Sequence, residues 1–294
     1  MEFWLGAAFV DAQDYLPLAK AAERLGFDTM AISDHIFYAD YEAHYPYSET
    51  GAPPYQPDTH WPDVFVTIGA LSAVTERLTF APNVFIPVAR DFFTVAKQVS
   101  TAAFFSGGRV RFGVGVGWCK DEFLQTGQDF HTRGKRLDEM IPALRKVWAG
   151  GLVEHHGTFF DFGPLSIAPV PPEPVPVYIG GDSDIALKRA ARIGDGWIGN
   201  RVYREPELEE LLLKLEGHLK DNGRTLADFK VVAPIGRRPS AELYRKWHER
   251  GVTGTMAAPW WFPTEQEKAE HGENTTALKI ATMERFASEI IDRM

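Results

Sequence analysis

The stretch VYIGGDSDIALKRAARIGDGWIGN, Val177 to Asn200, carries the decision about fold. Val177 to Gly180 is a short apolar run, and two glycines break it. Ile185 to Ile193 then repeats apolar residues at helical spacing, and Trp197 to Asn200 is a second apolar run. Strand, helix and strand in that order argue for a βα unit with parallel strands. The glycine-to-helix junction also has a chemical reading. Backbone N–H groups at a helix start near Ser183, with no Cβ at Gly180 or Gly181 in the way, suit a phosphate, although a plain βα turn uses the same residues. Lys188 and Arg189 lie farther along the helix and decide little between the two.

Outward from this unit the same alternation runs almost from end to end. Strands are expected at Phe3 to Phe9, Asp28 to Ile32, Leu78 to Val84, Val110 to Val114, Val177 to Gly180, Trp197 to Asn200, Phe229 to Pro234 and Thr255 to Ala258. Helices are expected at Leu16 to Leu25, Val64 to Val74, Phe92 to Phe105, Arg133 to Trp148, Ile185 to Ile193, Pro206 to Asn222, Ala241 to Arg250 and Leu278 to Ile291. Eight such pairs predict one α/β domain over residues 1–294, a single (β/α)8 TIM barrel. Two stretches are too long for simple connections, 36–62 and 150–176. The first is rich in Pro and Tyr and reads as an ordered lid or rim loop over one end of the barrel. In the second, Val153 to His155 and Thr158 to Phe162 flank a turn as a small hairpin, followed by the Pro-rich run Pro169 to Pro176, with a domain boundary as the competing reading.

Composition narrows the function classes. The chain has 294 residues, 45% of them hydrophobic, and 31 basic against 40 acidic side chains give a net charge of −9. That excludes the broad positive field that non-specific phosphate-backbone binding needs, so nucleic acid is not an expected partner. One cysteine, Cys119, cannot close an intrachain disulfide, no Cys/His spacing supports a metal site, and a reducing cytoplasm fits this usage. The N-terminus MEFWLGAAFVDAQDY lacks the marks of a signal peptide, and no apolar run reaches the roughly 18 residues of a membrane span.

Gly113-Val114-Gly115-Val116-Gly117 follows a strand but is not a dinucleotide fingerprint. Residues two apart share a strand face, so the glycines strip one face. A flat ring could lie there, or a bulky neighbouring strand could fill the space. Asp34-His35 stands at the end of the second strand, where a barrel builds its chemistry. An imidazole there can give or take a proton, and its neighbouring carboxylate either fixes a polar ring edge or merely caps a helix. Cys119 beside Trp118 is a weak nucleophile candidate without an adjacent base. His155 and His156 point to opposite faces of a hairpin, and His44 and His60 read as polar lid contacts. Glu210 with Lys214 is an ordinary solvated helix pair.

Taken together, Ser33-Asp34-His35, SGGRVRFGVGVGWCKDEF (Ser106 to Phe123), HGTFFDF (His156 to Phe162) and YIGGDSDIALKRAARIGDGWIGN (Tyr178 to Asn200) resemble the bacterial-luciferase-like superfamily. Within it they are most similar to the deazaflavin (coenzyme F420)-dependent oxidoreductases. The resemblance implies a barrel with insertions near its mouth, a small-molecule substrate and usually a homodimer. It also implies roles. Asp34 matches a cofactor-contacting aspartate and His35 the histidine beside the redox-active ring. Asn83 and Val84, with Ile86 following, match residues flanking a non-proline cis peptide behind that ring. Gly115, Val116, Gly117 and Asp121 match cofactor contacts, and Gly180, Gly181 and Ser183 match a phosphate cradle.

Two departures matter. The superfamily's sugar-phosphate dehydrogenases carry a glutamate after the glycines and a tryptophan four residues after the histidine, and here those places hold Trp118 and Ala39. Glucose 6-phosphate is thereby rejected, and Trp118 suggests an apolar, flat or extended substrate beside the ring. The expected activity is hydride transfer between coenzyme F420 and such a substrate. The alternatives are an FMN-dependent monooxygenase of the same superfamily and a flavin-binding protein without turnover.

Overall fold

All eight expected strands are present in a computed structural model that describes residues 1–39, 45, 48 and 50–294. In chain order they are β1 (Glu2–Gly6), β2 (Thr29–Ile32), β3 (Thr79–Pro82), β4 (Phe112–Val114), β7 (Val177–Gly180), β8 (Gly196–Ile198), β9 (Lys230–Val232) and β10 (Gly254–Ala257). A hairpin, β5 (Val153–His156) and β6 (Asp161–Leu165), lies between β4 and β7. The sheet order is β3-β2-β1-β10-β9-β8-β7-β4, every pair parallel. Parallel bridges Phe80↔Val110 and Phe85↔Val114 bring β3 back to β4 and close the ring.

Period-two alternation builds two cores from these strands. Phe3 and Leu5 of β1, Met30 and Ile32 of β2, and Val177 and Ile179 of β7 point outward under the helices. Trp4, Ala31, Ala81, Tyr178, Ile198 and Val232 point inward and fill the barrel, so it is a packed core and not a pore. Trp4 meets Tyr178 edge-on at 5.5 Å and donates from Nε1 to Glu2, which is ion-paired with Arg111 at the barrel floor.

The outer layer comprises α1 (Tyr15–Arg24), α2 (Val64–Ser72), α3 (Phe92–Phe105), α5 (Arg133–Trp148), α6 (Asp184–Ile193), α7 (Glu205–Asp221), α8 (Ala241–Glu249) and α10 (Thr276–Glu289). Two short helices, α4 (Lys120–Gln125) and α9 (Glu265–His271), add to the expected set. No residue of α9 is buried, so it shows no apolar stripe, and a Thr264/Glu267 capping box starts it.

Two boundaries differ from expectation. β1 stops at Gly6, and the chain turns at Phe9, which takes a φ of 60°, uncommon for a bulky side chain. The 150–176 insertion is a hairpin as expected but does not sit over the mouth. It packs on the flank of α3 and α5, with Phe162 against Phe92 at 5.4 Å and Phe93 at 5.3 Å. Glu139 of α5 accepts N–H bonds from Thr158, Phe159 and Phe160 at its turn. β4 and β7, on either side of this insertion, pair directly in the same sheet. Of the first insertion, His60 reaches back to accept from the Ala12 N–H, while His44 lies outside the described residues. Among the described residues no helix is long and apolar enough to cross a membrane.

Candidate active site

The loops after the C-terminal ends of the strands converge on His35, just past β2. Its Nδ1 lies 2.9 Å from Glu122 Oε1, and the same oxygen accepts the Ile36 N–H at 2.9 Å. Its Nε2 lies 3.3 Å from the Tyr55 hydroxyl. The side chains of His35 and Glu122 are only 12% and 4% exposed, so this is an interior pair. Glu122 is in the first turn of α4, where a carboxylate complements the helix dipole. The left-handed turn at Gly117, φ 79°, leads into that helix.

Aromatic rings wall the imidazole. Trp61, Tyr55 and Trp118 stand 4.9, 5.2 and 5.9 Å from it between ring centres. Trp61 continues outward to Phe9 at 5.6 Å, and Phe9 to Trp261 at 6.4 Å, which is 60% exposed. A ladder of rings thus runs from the surface to His35.

Asp34 does not cap a helix, and its carboxylate is held by protein partners. It grips Arg90 with both oxygens, at 2.7 and 2.9 Å, and takes the Ile86 N–H at 3.2 Å. Arg90 also donates to the Ile86 carbonyl and lies over the Phe85 ring. Burial pushes the Asp34 carboxyl up, against the pull of Arg90 and the Ile86 N–H. Its protein partners make it a positioning residue that ties the end of β2 to the loop after β3.

That loop holds the expected cis peptide between Asn83 and Val84. Asn83 N–H bonds to the Ile32 carbonyl, and Val84 turns onto the inner core of the barrel. Of the two readings of the glycines, the neighbouring-strand one is supported here. A Cβ on Gly113 would stand 2.0 Å from the Pro82 oxygen, one on Gly115 2.7 Å from Val84, and one on Gly117 2.8 Å from Ile86. The glycines make room for the neighbouring bulge of Pro82, Val84 and Ile86. Val116 packs against the outer core, Asp121 is half-buried in the first turn of α4, and Cys119 is buried.

At the β7–α6 junction, Gly181 takes a φ of 107° and its carbonyl accepts from Trp197 Nε1 at 2.7 Å. Ser183 Oγ caps the helix by accepting from the Ala186 N–H, which leaves the first N–H groups of α6 without an intrahelical acceptor. The nearby carboxylates are drawn away, Asp182 by Arg201 at 2.9 Å and Asp184 by Lys188 and His218. This donor set fits a phosphate. His155 and His156 do face apart as expected, toward Glu139 and Asp161.

Sequence reading passed over Glu122, Arg90, Tyr55 and Trp61. Glu122 stands in the KDEF run beside the glycines, and Tyr55 and Trp61 in the aromatic insertion. Nothing local in the sequence marks Arg90.

A closed parallel barrel with an interior histidine and carboxylate at its strand ends, beside a glycine-seated cis bulge, defines a luciferase-like barrel enzyme. The family model described as luciferase-like monooxygenase matches residues 4–285, and the chain belongs to that family. An F420-dependent glucose-6-phosphate dehydrogenase of Microbacterium testaceum is 30% identical over 95% of this chain and 79% of its own. The coenzyme F420-dependent tetrahydromethanopterin reductase of Methanopyrus kandleri superposes with a TM-score of 0.75 at 16% identity, covering 99% of this chain and 98% of that one. The oxygenating constituent of the Pseudomonas putida 3,6-diketocamphane monooxygenase, solved with FMN, gives 0.62 at 16% identity over 85% of this chain and 72% of that one. At such identities the two structures speak to the fold alone.

Proposed function

We propose that this protein is an oxidoreductase that moves a hydride between coenzyme F420 and an apolar or flat organic substrate. The observation that carries the reading is His35, partnered at both nitrogens and walled by aromatic rings, next to the Asp34-clamped bulge of Asn83, Val84 and Ile86. A named relative of 30% identity that depends on the same cofactor supports it.

When bound, the deazaflavin supplies the hydride chemistry. The chain's own residues do the rest. Val84 and Ile86, braced by Asp34 and Arg90, form the wall behind the ring, with Asn83, Gly115, Val116, Gly117 and Asp121 around it. Gly180, Gly181 and Ser183 with the start of α6 hold the phosphate. Trp118, Trp61 and Phe9 keep water from the reacting atoms and receive the apolar body of the substrate. His35 holds or releases the proton that accompanies the hydride. Among the described residues the groups packed on His35 include three aromatic rings and the Glu122 carboxylate, with Trp118 and Ala39 in the places noted above, and this supports an apolar substrate over a sugar phosphate. The same reading takes the protein as a cytoplasmic homodimer, on the family resemblance and on cysteine usage.

The test is His35→Ala. It should bind coenzyme F420 within a few-fold of wild type, yet turn over a panel of apolar alcohols, ketones and enones about 10²- to 10⁴-fold more slowly. Unchanged turnover at every pH would reduce His35 to a wall of the pocket.

A further inference from the structure

Glu122 Oε1 receives two groups at once, the Ile36 N–H and His35 Nδ1, each at 2.9 Å. A backbone N–H can only donate, so this oxygen is acting as an acceptor. The imidazole completes the arrangement by donating from Nδ1. In the neutral ring the proton is then on Nδ1, and Nε2 carries the lone pair. Nε2 faces a hydroxyl group, Tyr55, at 3.3 Å, which fits an acceptor nitrogen. With a partner on each nitrogen and Trp61 edge-on at 4.9 Å, a ring flip, which puts Cδ2 and Cε1 where the two nitrogens stand, would break both bonds.

We propose that Glu122 is a positioning residue that holds His35 in the tautomer protonated at Nδ1, making Nε2 the atom through which His35 exchanges the substrate's proton. The inference rests on the proposed hydride transfer and adds its proton path. In the oxidising direction the C–H bond of an alcohol breaks and its hydride leaves for the oxidised deazaflavin. The substrate hydroxyl takes the place of the Tyr55 hydroxyl at Nε2, its O–H proton forms a new bond to Nε2, and the carbonyl product departs. The resulting imidazolium carries both N–H groups, one donating to Glu122. The reducing direction returns the Nε2 proton to the carbonyl oxygen as the hydride arrives. Glu122 touches neither substrate nor cofactor in this scheme and acts through the imidazole alone.

Nitrogen-15 NMR of histidine-labelled full-length protein, recorded without cofactor at a pH where the imidazoles are neutral, reads the tautomer directly. The His35 resonances are assigned by their loss in His35→Gln. Nδ1 protonated and Nε2 bare is the expected result, and a proton on Nε2 overturns the proposal without recourse to any variant. Glu122→Ala should populate both tautomers and lower kcat by about 10- to 100-fold with little change in cofactor affinity. Glu122→Gln keeps an acceptor oxygen and should restore both the Nδ1-protonated form and most of kcat. Equal losses in the Ala and Gln variants would mean a merely structural role. Because the spectrum requires no cofactor, failure of this assignment is separable from failure of the functional reading, which coenzyme binding tests.

Discussion

Val84 stands where a side chain on Gly180 would go: a Cβ there would lie 2.8 Å from Val84 Cγ1. The glycine that ends β7 is therefore required by the bulge that ends β3, from across the barrel's upper interior. Gly180→Ala should destabilise the protein by about 1 to 3 kcal/mol through overpacking. In the double variant with Val84→Ala the added methyl meets the space that Val84 gave up, so the two changes should cost less than their sum. Urea unfolding of the two single variants and the double variant measures this coupling, and strict additivity would contradict the contact.

Asp34→Asn should be among the most damaging single changes near the site. It removes the charge from a bidentate pair and strands Arg90, 16% exposed, against the Phe85 ring. Breaking one side of a buried ion pair costs about 3 to 5 kcal/mol. Affinity for coenzyme F420 should fall with it because the loop of Asn83, Val84 and Ile86 loses the charged clamp between Asp34 and Arg90. Thermal unfolding checks the first effect and cofactor titration of the folded fraction the second, and a variant as stable as wild type would refute the clamp.

At the hairpin, desolvation opposes ionisation of Glu139. The N–H groups of Phe160 and Phe159, the His155 ring and the Thr158 N–H together hold its carboxyl below its ordinary 4.5. A depressed folded value means the stabilisation is present above 4.5 and is lost as pH falls through the folded value. Glu139→Gln should be less stable near neutral pH and show a shallower loss of stability in acid. Parallel stability curves for the two proteins would exclude this role.

Gly181→Val should weaken coenzyme binding by one to several orders of magnitude through loss of charge-assisted hydrogen bonds of about 1.5 to 3 kcal/mol each. A φ of 107° and an Ala186 methyl 3.0 Å from the added Cβ leave no room for a branched residue without moving the loop. Calorimetric titration of folded variant protein is the check, and wild-type affinity would place the phosphate elsewhere.

The barrel was legible because eight apolar runs alternate with amphipathic segments, and parallel strands buried on both faces keep that signal strong. Helices α4 and α9 escaped notice because six and seven residues, with little burial, carry no periodicity. His35 and Asp34 were found by their place at a strand end. Their partners were not, since Glu122 lies 87 residues from His35 and Arg90 56 residues from Asp34, contacts that only the closed barrel makes. The glycine run was visible, but its occupant was left open between a ring and a neighbouring strand. One face without side chains looks the same in sequence whether a ring or a neighbouring bulge fills it.

The central claim is that this barrel takes a deazaflavin, and titration of the purified protein with coenzyme F420 and, separately, with FMN, read by fluorescence quenching, tests it most directly. Saturable quenching by coenzyme F420, with FMN binding at least tenfold more weakly, about 1.4 kcal/mol, is the predicted result. Tight FMN binding with no response to coenzyme F420 would contradict the account and favour a flavin monooxygenase.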